Sequence, residues 1–319
     1  MEKEEKKPLI ILTGPTAVGK TAASIGLAKA VGGEIISADS MQVYKEMDIG
    51  SAKITPEEME GVPHHLVDVL EPEEEFNVVR FQELAKEAMK GIYERGHIPI
   101  VVGGTGFYIQ ALLYDIDFTE NETDHTYRKE LEQLAEEKGE EYLHKLLQEA
   151  DSESAGQIHC HNVKRVIRAL EFYHLSGKRI SEHNEKEREK KSPYHFAYFV
   201  LTDERSHLYA NIDKRVDLMI EQGLVDEVQK LKNMGFHRDM VSMQGLGYKE
   251  ILDYLDGKTT LEEAIYIIKR ETRHFAKRQL TWFRRERDVI WLDKQAYDYQ
   301  DAKILEDMIT ILKDKIILP

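Results

Sequence analysis

Apolar positions along the first hundred residues fall into two alternating rhythms. Residues 8–13, PLIILT, are a short unbroken apolar run leading into a glycine, the pattern of a strand buried on both faces. A helix of small residues is predicted from there to about residue 31, and residues 34–38 read as a second buried strand. Phe81, Leu84, Ala85, Ala88, Met89 and Ile92 recur at steps of three and four, which lays them on one helix face. Gly96 stops that helix, and residues 98–102 form another wholly apolar strand. Strands alternating with helices predict an α/β fold, a parallel sheet flanked by helices, which residues 197–201 and 289–292 are expected to join.

Between residues 117 and 193 the strand signal vanishes, and helix formers mixed with charges take over. The prediction is a core built from residues 1–116 and 195–319, interrupted by an all-helical insertion domain at 117–194. The charged run at 185–191 that closes the insertion reads as a solvated helix face or loop. Long helical patterns return at 205–235 and 260–287.

Composition narrows the class. The chain has 319 residues, 41% apolar and 32% charged, enough for a sizeable core. Its single cysteine, Cys160, excludes an internal disulfide framework and a cysteine-only zinc site, and points to a reducing, cytoplasmic compartment. The apolar runs are short and the N-terminus MEKEEKKP is charged, so neither a membrane span nor export is expected. A formal net charge of −15 argues against a nonspecific polyanion binder, although one local basic face remains compatible with it.

The sharpest local signal is Gly14-Pro15-Thr16-Ala17-Val18-Gly19-Lys20-Thr21, which fits the P-loop pattern directly after a strand and before a helix. Glycines let successive amides point inward, Lys20 reaches phosphate oxygens and the Thr21 hydroxyl can hold Mg²⁺. Taken alone the motif is a nucleotide or ATP site, and it identifies a bound diphosphate or triphosphate without naming the reaction. The second strand runs into Asp39-Ser40-Met41-Gln42, placing Asp39 at a strand C-terminus, where open α/β sheets hold their ligands. Its alternatives are a helix cap or an outer partner of magnesium. The strand at 98–102 ends in Gly103-Gly104-Thr105-Gly106 instead of an acid, so the Walker-B magnesium ligand of motors and switches is missing. Thr105 reads equally as a cap for the next helix.

A second feature is basic. Lys269, Arg270, Arg273, Lys277, Arg278, Arg284, Arg285 and Arg287 face only Glu271 and Glu286 across nineteen residues, with Trp282 and Phe283 interleaved. Such a stripe suits an RNA backbone and unstacked bases, or else neutralises the protein's own acids. Lys164, Arg165 and Arg168 make a smaller cluster in the insertion. His159-Cys160-His161 reads as a poor metal site, because adjacent side chains are expected to diverge and no downstream ligand pair appears.

The segments GPTAVGKT, DSMQVYKEMDIGSAK, PHHLVDV, IPIVVGGTGFY, RVIRALEFYHLSGK, LYANIDKRVDLMIEQGLVDEV, QGLGYKE and AKRQLTWFR, in this order, resemble the bacterial tRNA dimethylallyltransferases over nearly the whole chain. The resemblance implies transfer of a prenyl group from dimethylallyl diphosphate to N6 of the adenine just 3′ of the anticodon, in tRNAs reading codons that begin with U. The P-loop (Gly14, Thr16, Ala17, Val18, Gly19, Lys20, Thr21) would then cradle a prenyl diphosphate with Mg²⁺ in place of ATP. Asp39 matches the general base, Thr105 a residue that orients the amine, and Arg215 the residue that grips the diphosphate. Ser40, Met41, Gln42, Arg128, Lys164, Arg165 and Arg168 match tRNA-contacting segments, as do Gln244, Lys249, Lys277, Arg278, Gln279, Trp282 and Arg284. The implied partner is the anticodon stem-loop, met by a monomer. The chain departs from the family where IHPN is usual and it has Ile158-His159-Cys160-His161, and at Ser51, where threonine is common. The rival readings are a small-molecule P-loop kinase, with Asp39 as base and the basic helix as a lid, and an RNA-binding nucleotide switch.

Overall fold

The computed structural model describes residues 6–118, 126–315 and 317–318, and the chain divides into two compact units, Met1–Leu113 with Pro193–Pro319, and Tyr114–Ser192.

The first unit is built on β1 (Pro8–Thr13), β2 (Gly33–Ser37), β3 (His64–His65), β4 (Ile98–Gly103), β5 (His195–Thr202) and β6 (Val289–Asp293). All pairings are parallel, in the order β3-β2-β4-β1-β5-β6. The central β1 is apolar on both sides because helices cover both faces: Leu9, Ile10, Ile11 and Leu12 are all buried, and each such side chain contributes about 1.5–3 kcal/mol of transfer free energy. Its helices are α1 (Lys20–Val31), α2 (Val78–Glu94) and α3 (Gly106–Leu113), followed after the second unit by α9 (Arg205–Glu221), α10 (Leu224–Asn233), α11 (Tyr248–Leu255), α12 (Leu261–Phe283) and α13 (Asp301–Asp314).

Four features depart from the sequence expectations. The two-residue edge strand β3 has no alternation long enough to be read. Helix α13 went unpredicted, yet its Ile304, Met308 and Leu312 enter the same core as Ile25 and Leu27 of α1. The long helical pattern at 205–235 is two helices, parted where Gly223 adopts φ 100°, a left-handed conformation that glycine tolerates. The basic helix ends at Phe283, not at residue 287, since the chain turns through Asp288 (φ 57°) to bring Val289 opposite Tyr198 in the sheet.

The second unit comprises α4 (Thr126–Lys138), α5 (Glu140–Ala150), α6 (Ser152–Gln157), α7 (Val163–Ser176) and α8 (Ile180–Glu189), around Leu131, Leu143, Leu147, Val166, Ile167 and Leu170. Its polar centre is the buried carboxylate of Asp151, which accepts from the amide and hydroxyl of both Ser154 (3.0 and 2.7 Å) and Ser181 (3.0 and 2.8 Å). Among the described residues of the whole chain, no helix is long and apolar enough to cross a membrane.

Glu34, 2% exposed on β2, is a carboxylate inside the sheet layer. Arg95 donates to it from Nε (2.8 Å) and a terminal nitrogen (2.7 Å), and His65 and His97 each reach it at 2.7 Å. The Arg95 hydrogen bonds lead in holding its carboxyl down at about 2, with burial pulling the other way and the histidines assisting. Because the folded value lies below the ordinary 4.5, the stabilisation is complete above that pH and is lost as pH falls through about 2. Glu34→Gln is therefore expected to cost about 1–3 kcal/mol at neutral pH, with thermal melts of variant and parent converging as the pH is lowered toward that range.

Candidate active site

Parallel pairing carries the C-terminal ends of β2, β4 and β1 to one edge, side by side. Thr13, the last residue of β1, donates its hydroxyl to Gly103 O of β4 at 2.6 Å. The amide of Ala38 donates to Val102 O (2.7 Å) and that of Thr105 to Ala38 O (3.2 Å). These bonds fasten the loop after β2 to the loop after β4 and place Asp39 beside Thr105. A Cβ on Gly103 would stand 2.2 Å from Ala38 O, so only glycine allows that approach.

The loop from Gly14 to Gly19 wraps the start of α1, with Ala17 (φ 64°) and Gly19 (φ 96°) in the left-handed region, the turn geometry that gathers amides into an anion-binding nest. Lys20 donates to Gly14 O (3.0 Å) and Pro15 O (2.8 Å). Burial of the ammonium is the main cause that brings it down to about 7; Arg215 repels it further, and Asp39 pulls it back up. Arg215, from α9, approaches the Thr16 hydroxyl at 3.5 Å, and its guanidinium is also lowered by burial and supported by Asp39. Two cations, both weakened by burial, converge on an anion-binding loop, and the Asp39 carboxylate supports each of them. Asp39 has one oxygen occupied: Oδ1 accepts from the amides of Met41 (2.8 Å) and Gln42 (3.3 Å). Its other oxygen and the Thr105 hydroxyl make no hydrogen bond within the described chain.

Helix α12 closes the arrangement through Gln279. This side chain, 6% exposed, accepts from the Thr16 amide at 2.9 Å and donates to Gly104 O at 3.0 Å. Cβ atoms at Gly104 and Gly106 would stand 2.1 Å from Gln279 Nε2 and 2.2 Å from the Trp282 ring, so the glycines after β4 are spaces for α12. Gln279 was expected at the RNA surface; its burial between the two loops assigns it instead to holding them together, and the Thr16 amide is consequently taken.

The sequence reading missed the supports of the segment after Asp39. Glu227 on α10 accepts from the amides of Asp48 (2.9 Å), Ile49 (2.7 Å) and Gly50 (3.0 Å) and from the Tyr248 hydroxyl (2.8 Å). Lys53, its side chain 4% exposed, binds Asp48 and Asp68. No local pattern announces the Glu227 contacts with the amides of residues 48–50, which stand 177–179 positions away.

Comparison with known proteins gives the family. A family model described as IPP transferase matches residues 42–286, and a second, described as isopentenyl transferase, matches residues 7–70. The chain belongs to the IPP transferase family. It is 62% identical over 312 residues to a tRNA dimethylallyltransferase of Lachnoclostridium phytofermentans, covering 98% of this chain and 99% of that one. The crystal structure of a tRNA isopentenylpyrophosphate transferase from Bacillus halodurans matches with a TM-score of 0.73 at 46% identity, over 98% of each chain. A eukaryotic dimethylallyltransferase captured acting on tRNA matches with a TM-score of 0.84 at 31% identity, over 97% of this chain and 79% of that one.

In this member of the IPP transferase family the basic helix is two surfaces. Its first half is neutralised: Lys269 pairs with Asp217 (2.6 Å), Arg273 with Asp213 (2.7 Å) and Arg270 with Glu271 (2.9 Å). Beyond it Lys277, Arg278, Arg284 and Arg285 are exposed, with no carboxylate partner among the described residues. Trp282 packs edge-on to the exposed Phe107, ring centroids 6.1 Å apart. Ser40, Met41 and Gln42 are partly exposed, with the Gln42 amide donating to Ala52 O (3.1 Å). Gln244 is exposed and Lys249 partly so; the first donates to Arg238 O and the second lies 3.7 Å from Glu250. In the helical unit Lys164 and Arg165 are exposed, and Arg168 is half-buried. Arg128 is tied bidentately to the buried carboxylate of Glu171 (2.9 and 2.7 Å), with its side chain 40% exposed.

The depressed Lys20 makes anion binding proton-linked. Near pH 8 most of this side chain is neutral, and an anion in the loop favours its charged form. Inorganic diphosphate is expected to bind at pH 8 with uptake of most of one proton more by the parent than by Lys20→Met, read by calorimetry in buffers of different ionisation enthalpy. The difference should vanish near pH 6, where Lys20 is already charged.

Proposed function

We propose that this chain transfers the dimethylallyl group of dimethylallyl diphosphate to N6 of the adenine 3′-adjacent to the anticodon, in tRNAs that read codons beginning with U. The reading is carried by one juxtaposition: an anion loop with Lys20 and Arg215 beside a carboxylate, Asp39, that keeps an oxygen free. Transfer breaks the C1–O bond of the donor and forms a bond from N6 to C1, so charge builds on the departing diphosphate while N6 loses a proton. Lys20, the amides of residues 17–21 and Arg215 stabilise the first. Asp39, held in orientation by the amides of Met41 and Gln42, takes the second on its free oxygen, and Thr105 positions the amine.

Mg²⁺ fits this loop, since Thr21 stands exposed on the first turn of α1 with a hydroxyl that bonds to nothing in the described chain. It is the hard oxygen donor that Mg²⁺ accepts alongside diphosphate oxygens and water. When bound, Mg²⁺ offsets the charge of the leaving diphosphate. The adenine must leave its stack to reach Asp39, at a cost of a few kcal/mol, which tRNA contacts by Lys277, Arg278, Trp282 and Arg284 offset. The protein works as a monomer, in the cytoplasm where its tRNA substrate is.

The direct test supplies unmodified tRNA with radiolabelled dimethylallyl diphosphate or γ-labelled ATP: label in tRNA from the prenyl donor supports the reading, and phosphate on a small acceptor overturns it. Asp39→Asn keeps size and amide contacts but cannot take the proton, and single-turnover transfer should fall by about 10²–10⁴ with both substrates still bound. Near-normal rates, or rescue by added Mg²⁺, would remove Asp39 as the base. Arg284→Ala should weaken tRNA binding and reduce the slope of log affinity against log salt by about 0.7–0.9; an unchanged slope would remove the helix end from the RNA surface.

A further inference from the structure

The sequence expectation that His159, Cys160 and His161 point apart fails in the structure, because these residues form a tight turn. The Asn162 amide donates to His159 O at 2.8 Å, reversing the backbone just before α7 and turning all three side chains to one side. Cys160 Sγ lies 3.7 Å from His159 Nδ1 and 3.9 Å from His161 Nδ1, and one ligand atom from each residue falls within 4.8 Å of the others. Tetrahedral zinc with ordinary bond lengths sets a sulfur-to-nitrogen separation of about 3.5–3.6 Å, so Cys160 Sγ and His159 Nδ1 stand within a few tenths of an ångström of a coordinating distance, and the His161 ring has to close in on them. His159 Nδ1 accepts from the His161 amide at 3.3 Å, a long bond that gives way when this nitrogen takes a metal. Glu140, at the start of α5, pairs with His161 Nδ1, which leaves Nε2 as the nitrogen of that ring that takes a metal while the carboxylate orients the imidazole. The turn is braced from behind by His144, whose Nε2 lies 3.1 Å from Ala155 O and 2.8 Å from Ile158 O. Cys160 and His159 open onto a concavity of ≈ 470 Å³, room for a water in a fourth position.

We infer that His159, Cys160 and His161 bind one borderline-soft divalent cation of the zinc class, with Glu140 orienting His161. One thiolate and two imidazoles select such an ion over Mg²⁺ or Ca²⁺, which prefer oxygen. Binding forms the metal–sulfur bond as the thiol proton passes to solvent, so affinity falls as pH is lowered. The site clamps the turn that leads into α7, whose first turn presents the exposed Lys164 and Arg165. It is independent of the P-loop chemistry, and its test does not use the transfer reaction.

The chain has one cysteine, so a thiolate-to-metal absorption band reports Cys160 alone. The purified full chain, free of any histidine tag, is titrated with Co²⁺. One equivalent should produce a thiolate-to-cobalt charge-transfer band that Zn²⁺ discharges and Mg²⁺ does not. Cys160→Ser should abolish the band, and His161→Asn or Glu140→Gln should weaken cobalt affinity by about tenfold or more, with circular dichroism checking the fold. Zn²⁺, unlike Mg²⁺, should also slow the reaction of Cys160 with a disulfide reagent in the unmutated chain, a readout that needs no variant. No charge-transfer band in excess Co²⁺ with the thiol still fully titratable, or a cobalt spectrum unchanged by Cys160→Ser, overturns the site.

Discussion

Parallel pairing of β1 with β4, in the register that sets Thr13 opposite Gly103, is the constraint on which the site depends. A parallel ladder sends every strand C-terminus to one edge, so the P-loop, the Asp39 loop and the glycines after β4 become neighbours without any contact of their own. The Thr13 hydroxyl on Gly103 O and the amide bonds between the loops after β2 and β4 then convert neighbourhood into fixed distance. An anion loop and a carboxylate so close would otherwise relax apart, because the backbone groups at strand ends have lost their ladder partners.

Gln279 extends the same logic to a helix remote in sequence. A buried primary amide needs partners for both of its ends, and the ones available are the Thr16 amide and Gly104 O. Those two bonds make the cationic helix and the P-loop one assembly, and they account for glycine at positions where a Cβ would collide with α12. The run Gly103-Gly104-Thr105-Gly106 is a consequence of close packing around Thr105. It stands where a Walker-B strand would offer an acid, and the loop gains access for a helix at the expense of that metal ligand.

Electrostatics divides the surface in a way that net charge hides. The chain carries −15, and much of its basic content is consumed by its own acids, as at Lys269, Arg270 and Arg273. Four exposed cations without a carboxylate partner among the described residues, Lys277, Arg278, Arg284 and Arg285, stand past Ala276 on α12 and just beyond its end, on the same helix that buckles the active-site loops. Desolvation at the P-loop acts in the opposite sense, weakening Lys20 until an anion arrives. An anion bound there favours the charged form of Lys20.

Short-range pattern by itself determined the βαβ rhythm, the P-loop, the position of Asp39 at a strand end and the helical character of the insertion, because each rests on residues within a few positions of one another. Family resemblance extended that reading to Thr105 and Arg215. Only the tertiary structure decided the partners. Glu227 beneath the segment after Asp39, Gln279 between two loops, the pairing of Arg128 with Glu171 and the early end of α12 at Phe283 all depend on pairings far apart along the chain. The edge strand β3 is too short to carry a period, and α13 follows the last strand with an apolar face that takes meaning only against α1. The turn at His159-Cys160-His161 inverted its expectation for the same reason: adjacent side chains diverge in an extended chain, and the reversal that gathers them is set by the hydrogen bond from Asn162 and the brace of His144, which local composition does not encode.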